Sequence, residues 1–180
     1  MHTQIVLTLI GPDRPGLVEA LSDEIARVGG NWEQSRMARL ADQFAGILCV
    51  SLPTSRVADL SAALKSLERH GLRLVLETSR PANAARGTIA MRLEVVGNDR
   101  AGIVRDISRA LAQRSVNVDE LETQCEEAPM GGGQLFRARA LLHVPQAISI
   151  AQLRTALEGI ADDLMVDVSL APGADERAKR

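Results

Sequence analysis

The chain has 180 residues, enough for one large domain or for two small domains of roughly 80–90 residues each. Hydrophobic residues make up 46% of it and charged residues 24%, a balance typical of a folded globular protein. The formal net charge is −2 and the arginines are scattered, so direct binding of nucleic acid through a basic face is not expected. No apolar run approaches the roughly 18–20 residues of a membrane span, and no N-terminal signal is visible. We therefore expect a cytoplasmic protein with no membrane partner.

Strand-like and helix-like segments alternate from the N-terminus. Thr3–Ile10 is rich in β-branched and apolar residues, which predicts a strand. After the polar turn Gly11–Gly16, apolar residues recur at three- and four-residue spacing over residues 17–28, which predicts a helix with one apolar face. Gly29-Gly30 is typical of a helix C-terminus, so we expect the helix to end there.

The rest of the first half predicts a hairpin, a second helix and a last strand. Asn31–Leu40 and Gln43–Leu52 are the two strands of the hairpin, joined by a two-residue turn. Apolar residues at helical spacing over 57–67 predict the second helix, which we expect to end near His70-Gly71. Leu72–Thr78 predicts the closing strand.

The second half repeats this order after a short polar linker. Its predicted elements are, in chain order, Ile89–Val96, 103–112, Asn117–Gln124, Gln134–Val144, 150–160 and Leu164–Leu170. A shift of 86 positions aligns Asp13 with Asp99, Arg14 with Arg100, Gly16 with Gly102, and Asn31 with Asn117. The second copy is then longer by six residues, which we assign to a flexible loop at 126–133. The predicted domains are 1–79 and 89–171, with a linker at 80–88 and a flexible tail at 172–180.

Each half has the order strand, helix, strand, strand, helix, strand. This order predicts an α+β fold of two ferredoxin-like βαββαβ domains, each a four-stranded antiparallel sheet with two helices on one face. Because many unrelated functions share this arrangement, the function must be argued from individual sites.

The repeated turn is the main candidate site. Its first copy is Gly11-Pro12-Asp13-Arg14-Pro15-Gly16, between a predicted strand and a predicted helix, where backbone N–H groups can hold a small polar ligand. Asp13 can act as the helix N-cap, with Pro15 in the first turn. An adjacent aspartate and arginine suit a zwitterion, since one accepts from an ammonium and the other donates to a carboxylate. The structural alternative is a capped strand-to-helix turn that the duplication copied.

The sequence lacks the residues that metal-binding, phosphate-binding and RNA-binding proteins of this kind use. A metal carrier of this fold needs Cys-x-x-Cys, a phosphate-binding loop needs Gly-Lys-Ser/Thr, and an RNA-binding sheet needs aromatic residues on its central strands. An acylphosphatase-like hydrolase could use Arg14 and Asn31, but the longer loop of that family is missing. The three histidines lie in unrelated contexts, and Cys49 and Cys125 are interpreted as free thiols. We find no catalytic set and expect no enzyme, no metal and no cofactor.

Two segments, TQIVLTLIGPDRPGLVEALSDEIARVGGNWEQS and MRLEVVGNDRAGIVRDISRALAQRSVNVDE, resemble ACT domains, and the resemblance covers nearly the whole chain. The motif Gly-x-Asp-Arg-x-Gly, followed by Leu-Val or Ile-Val, carries it. ACT domains are small regulatory modules that bind amino acids or other small effectors, commonly at interfaces between two such domains. A pair without a catalytic domain resembles the glycine cleavage system transcriptional repressor group, whose members are thought to act through a DNA-binding activator protein in response to glycine.

This resemblance implies a non-enzymatic regulator that senses a glycine-like amino acid and controls transcription of amino-acid metabolism through a DNA-binding protein partner. It is also compatible with a homodimer. Ligand held between domains or subunits would stabilise one arrangement that the partner recognises. The implied effector-binding residues are Asp13, Arg14, Pro15, Gly16 and Asn31 in the first copy and Asp99, Arg100, Gly102 and Asn117 in the second. The second loop lacks the prolines of the first, so we expect the first copy to be the better binder. A ligand-independent adaptor and, less favoured, an acylphosphatase-like hydrolase are the alternatives.

Overall fold

The computed structural model describes residues 1–69, 71–78, 87–128 and 132–173. The chain divides into two compact units, Met1–Ala82 and Asn83–Arg180. In the described residues the first unit consists of β1 (His2–Pro12), α1 (Leu17–Arg27), β2 (Asn31–Leu40), β3 (Gln43–Pro53), a short 3₁₀ turn (Thr54–Arg56), α2 (Val57–Glu68) and β4 (Arg73–Thr78). The second consists of β5 (Thr88–Asn98), α3 (Ile103–Ala112), β6 (Asn117–Glu127), β7 (Gln134–Pro145), α4 (Ile150–Leu164) and β8 (Val166–Pro172).

Each unit is a four-stranded antiparallel sheet. The strand orders are β2-β3-β1-β4 and β6-β7-β5-β8, so the first strand of each unit is central. Alternate residues of β1 are fully buried, and they pack against the apolar faces of α1 and α2 in one core cluster. The second unit repeats this arrangement with its own core. The predicted α+β fold of two ferredoxin-like domains is confirmed.

Residues in the left-handed region end several elements as the sequence predicts. Gly29 has a φ of 75° directly after α1, and Gly71 has a φ of 82° after α2. The end of α4 differs from the prediction. Leu164 is its last residue and Met165, with a φ of 53°, is the left-handed C-cap, so the last strand begins at Val166 and not at Leu164.

The first strand of each unit is longer than predicted. Gly11 and Gly97, assigned to the turns, lie inside β1 and β5 and pair with Phe44 and Phe136. A Cβ on Gly97 would lie 2.8 Å from the Cα of Val166 on the neighbouring strand β8. Glycine is therefore needed here for close approach of two strands, and the turn proper narrows to residues 13–16 and 99–102.

Several expectations fall on positions outside the described ranges. They concern His70, most of the predicted linker and tail, and part of the loop at 126–133. The predicted domain bounds stay predictions. Within the described ranges, none of the helices combines the length and apolar character needed to cross a bilayer.

Candidate functional site

The first turn is fixed to the end of the neighbouring hairpin. The Asp13 backbone N–H donates to the carbonyl oxygen of Asp42 at 3.0 Å, and the Asp13 carboxylate lies 3.2 Å from Nε of Arg39. Arg39 Nε also donates to the carbonyl oxygen of Ala41 at 3.1 Å. Asp13 is thus held by the hairpin, and the prediction that it caps α1 is wrong.

Helix α1 begins without a side-chain cap. Its N-cap residue is Gly16, which has a φ of 86°, and the first intrahelical bond runs from the Ala20 N–H to the Gly16 carbonyl. Pro15 therefore precedes the helix and does not lie in its first turn as predicted. A Cβ on Gly16 would meet only Glu19 Oε2, at 3.8 Å, so the left-handed backbone and not a lack of space requires glycine.

An open cleft of about 350 Å³ lies at this corner. Its lining combines the turn, the first helical turn and one aromatic side chain: Asp13, Arg14, Gly16, Leu17, Val18, Glu19 and Phe44. Arg14 is exposed and makes no ion pair or hydrogen bond with the described residues. The cleft therefore offers one unengaged guanidinium, two carboxylates and uncapped helix N–H groups beside an apolar wall.

The second turn has the same backbone anchor but a different arginine environment. The Asp99 N–H donates to the carbonyl oxygen of Gln134 at 2.8 Å, matching the anchor of the first turn. The N-cap Gly102 has a φ of 104° and also gives no side-chain cap. Arg100, in contrast, donates from Nη1 to the carbonyl oxygens of Asp163 and Leu164 at 3.3 and 3.4 Å. Its charge lies at the C-terminus of α4, which favours a cation.

Charge beside the second turn also differs. Arg105 Nε donates to Asp106 Oδ1 at 2.8 Å. This hydrogen bond, with the positive charges of Arg105, Arg109 and Arg100, holds the pKa of the Asp106 carboxyl below its ordinary value. The first helical turn of α3 is therefore occupied by an internal ion pair, whereas Glu19 of α1 faces the cleft.

Asn31 and Asn117 lie far from the turns of their own units. Asn31 pairs with Ser51, which pairs with Gln4, whereas the turn follows Pro12 at the other end of β1. Eight strand positions correspond to about 27 Å. Asn117 likewise pairs at the far end of β7 from the second turn. The structure does not bring either asparagine to its turn, and a hydrolase site made of Arg14 and Asn31 within one unit is ruled out.

Three residues at the first corner were not predicted from the sequence. Arg39 holds Asp13, Glu19 adds a carboxylate, and Phe44 provides an aromatic wall. Arg39 could have been found, because the predicted hairpin places its turn next to the end of the central strand. Phe44 could also have been found, because the second repeat has a phenylalanine, Phe136, at the matching position opposite its turn glycine.

Over residues 1–69, 71–78, 87–128 and 132–173, the cysteines and acidic residues form no recognisable metal site. In the part of the chain that the structure describes, no group of three or more His, Cys, Asp or Glu side chains could hold a metal ion. Both cysteines are free. The Cys49 thiol lies 3.8 Å from Glu33 Oε2, and burial, with the charge and hydrogen bond of Glu33, raises its pKa.

Known proteins resemble both this sequence and this fold. Residues 3–77 match the family model of the ACT domain. The chain is 22% identical over 170 residues to the glycine cleavage system transcriptional repressor of Escherichia coli (strain K12), covering 92% of this chain and 88% of that protein. The crystal structure of an unknown protein from Galdieria sulphuraria has a TM-score of 0.88 at 30% identity, covering 97% of this chain and 100% of that one. A protein proposed to be a glycine cleavage system transcriptional repressor shares the fold, with a TM-score of 0.69 at 20% identity over 94% of this chain and 96% of its own.

Proposed function

We propose that this chain, whose residues 3–77 match the ACT domain and whose two units share one fold, is a regulatory protein that senses a small amino acid at the cleft beside Arg14. The similarity to a transcriptional repressor over 92% of the chain supports a regulatory role. The observation that carries the proposed site is the unengaged Arg14 in an open cleft at an uncapped helix N-terminus. The effector is a zwitterion of the glycine type.

The α-carboxylate of the ligand binds at the positive side of the cleft. Arg14 donates to it, and the free N–H groups of the first turn of α1 add the partial positive charge of the helix N-terminus. A planar guanidinium suits a carboxylate because it can donate two parallel hydrogen bonds. Since Arg14 forms no internal ion pair, no bond within the described residues has to break when the ligand binds.

The ligand's ammonium group binds at the negative side. Glu19 lines the cleft, and Asp13 retains acceptor capacity because a carboxylate offers about four lone-pair sites and Arg39 takes only part of them. Leu17 and Phe44 form the apolar wall against which a ligand side chain packs. The second turn is the weaker site in this proposal, since Arg100 already donates to the end of α4.

Asn31 can join the first turn in one site only if the two come from different copies of the chain. Asn31 lies at the opposite end of its sheet from the turn. A ligand that contacts both is therefore held by the turn of one copy and Asn31 of another. Ligand binding at such a place changes the association of domains, and that change is what a DNA-binding protein partner recognises. Transcriptional control through such a partner is the output we propose.

Calorimetric titration of the full chain with glycine, serine and other amino acids tests the sensor. We expect saturable binding that Arg14→Ala weakens about 10- to 100-fold, because a hydrogen bond to a charged group contributes about 1.5–3 kcal/mol. Arg100→Ala is the matched control, since it removes the same side chain at the same position of the other repeat. It should leave the tight site unchanged.

A ligand-independent adaptor is the second candidate. Gly16 is required by its left-handed backbone, and Asp13 forms an ion pair with Arg39. The presence of these two motif residues is therefore explained without a ligand. If no amino acid binds the wild-type protein, the adaptor replaces the sensor. If Arg100→Ala weakens binding while Arg14→Ala does not, the site is at the second turn and the assignment above is wrong.

A further inference from the structure

The two sheets differ on the face that points away from their helices. In the first unit this face carries exposed aliphatic side chains: Ile10, Ile47 and Val75 are 45%, 51% and 56% exposed. Thr8 on the central strand pairs with both Ile47 and Val75, and Ile10 is the next residue of β1 on the same face. The three aliphatic side chains therefore surround Thr8 across β3, β1 and β4.

The second unit acts as an internal comparison, because it has the same fold and registers. The matched positions, read from the strand pairings, are Val6 and Arg92, Thr8 and Glu94, Ala45 and Arg137, Ile47 and Arg139, and Val75 and Ser169. Arg139 lies 3.4 Å from Glu94 across this second face, so the positions of Ile47 and Thr8 are charged there, whereas that of Ile10 is occupied by Val96, which is also aliphatic. Since the fold tolerates a charged face here, the apolar face of the first unit is not required for folding. Exposed apolar patches of this kind mark interaction surfaces.

We propose that the open face of the first sheet binds the same face of a second copy of this chain, giving a symmetric dimer with sheet packed on sheet. The charges on β4 select this occupant. Arg73, Val75 and Glu77 lie on the open face at alternate positions, and Val75 is midway between the two opposite charges. A two-fold axis along the hydrogen-bonding direction over Val75 places Arg73 of one copy over Glu77 of the other, twice. A partner of uniform charge would match only one of them.

The size of the face suits such a dimer. The four strands have 10, 11, 11 and 6 residues, and at about 4.8 Å between strands and about 3.4 Å per residue they give a footprint of roughly 600 Å². A standard interface buries about 800 Å² on each partner. Arg36 lies at the edge of the face on β2 and is already engaged in an interaction. Its long stem keeps its charge in solvent at the rim.

The first test replaces Ile47 by the residue that stands at its matched position. Sedimentation velocity should show the wild-type chain at twice 19.3 kDa at micromolar concentration, and Ile47→Arg at 19.3 kDa, with the dimer dissociation constant raised at least 100-fold. Circular dichroism should show unchanged folding, since arginine is accommodated at this position in the second unit. Val104→Arg is the control, because Val104 is a 42% exposed residue of helix α3 and is not part of this face.

The second test reverses the charges. Arg73→Glu and Glu77→Arg should each weaken the dimer about tenfold or more, and the double variant should restore it, because the pair re-forms across the axis. A wild-type chain that stays at 19.3 kDa overturns the proposal. The same holds if this face binds a different protein while the chain remains a monomer. An unaffected dimer in Ile47→Arg, dissociation by Val104→Arg, or no restoration in the double variant would overturn it as well.

Discussion

Gly97→Ala should destabilise the second unit by about 2 kcal/mol, within the range of about 1–3 kcal/mol for overpacking. The added Cβ would lie 2.7 Å from Val166 Cγ1 and 2.8 Å from Val166 Cα. The Val166 side chain could rotate away. The Val166 Cα cannot, because Val166 is the residue of β8 that pairs with Gly97. Relief therefore requires β5 and the edge strand β8 to move apart at the end of their ladder, next to the turn that carries the second candidate site.

Gly159→Ala is the matched control in the same unit. Gly159 lies in the interior of α4 with nothing within 4 Å of a Cβ placed on it. Alanine there should stabilise the helix by about 0.5–1 kcal/mol, because glycine loses more backbone freedom on folding. The same chemical change is thus expected to have opposite signs at two positions of one unit.

Thermal unfolding followed by circular dichroism measures both variants. For a unit of this size 1 kcal/mol shifts the Tm by about 4–8 °C, so Gly97→Ala should lower the Tm of the second unit by about 8–16 °C. Gly159→Ala should raise it by about 2–8 °C on the same scale. A Tm for Gly97→Ala equal to that of the wild type would refute the close approach of β5 and β8, and the argument that this glycine is structural.

Three further predictions concern single side chains. Gly16→Ala should lower stability by about 1–2 kcal/mol in urea unfolding through its left-handed φ alone; an unchanged midpoint would contradict this reason. Arg100→Ala should lower the stability of the second unit by about 0.3–1 kcal/mol in the same assay, because it donates to the end of α4, while Arg14→Ala should stay within about 0.5 kcal/mol of the wild type. Alkylation followed by mass spectrometry should label Cys125 before Cys49, because Cys49 is less exposed and burial raises its pKa, which lowers its thiolate fraction; equal rates of labelling would contradict this.

The order of elements could be predicted because it depends on local periodicity. Apolar residues alternate in β1 and recur every three to four residues in α1, and the duplication gives each assignment a second occurrence. The predicted boundaries of strands and helices were less accurate where a residue type is common in two kinds of local structure. Gly11 is typical of a turn, yet it lies in β1, where Gly71 and Leu72 approach too closely for a side chain. That contact joins distant parts of the chain, which local periodicity does not encode.

The candidate site could be predicted only in part. The turn was found because it is repeated, and it does lie at a helix N-terminus. The role of Asp13 was wrong because its carboxylate is drawn to Arg39, a residue 26 positions away that only the sheet brings close. Asn31 was grouped with the turn by resemblance, but strand register separates them within one unit. Arg14 and Arg100 occupy equivalent positions in the sequence, and they differ because Arg100 donates hydrogen bonds to the end of α4.

The backbone bond that fixes each turn bears on how the two repeats diverged after duplication. In both units an aspartate N–H donates to a carbonyl oxygen at the hairpin end, from Asp13 to Asp42 and from Asp99 to Gln134. Between these anchors the second repeat contains six more residues, and its donor and acceptor are still main-chain atoms. Such a bond does not depend on which side chains are present. The hairpin could therefore lengthen and change composition in one repeat while the turn kept its position, leaving one copy free to specialise without loss of the other.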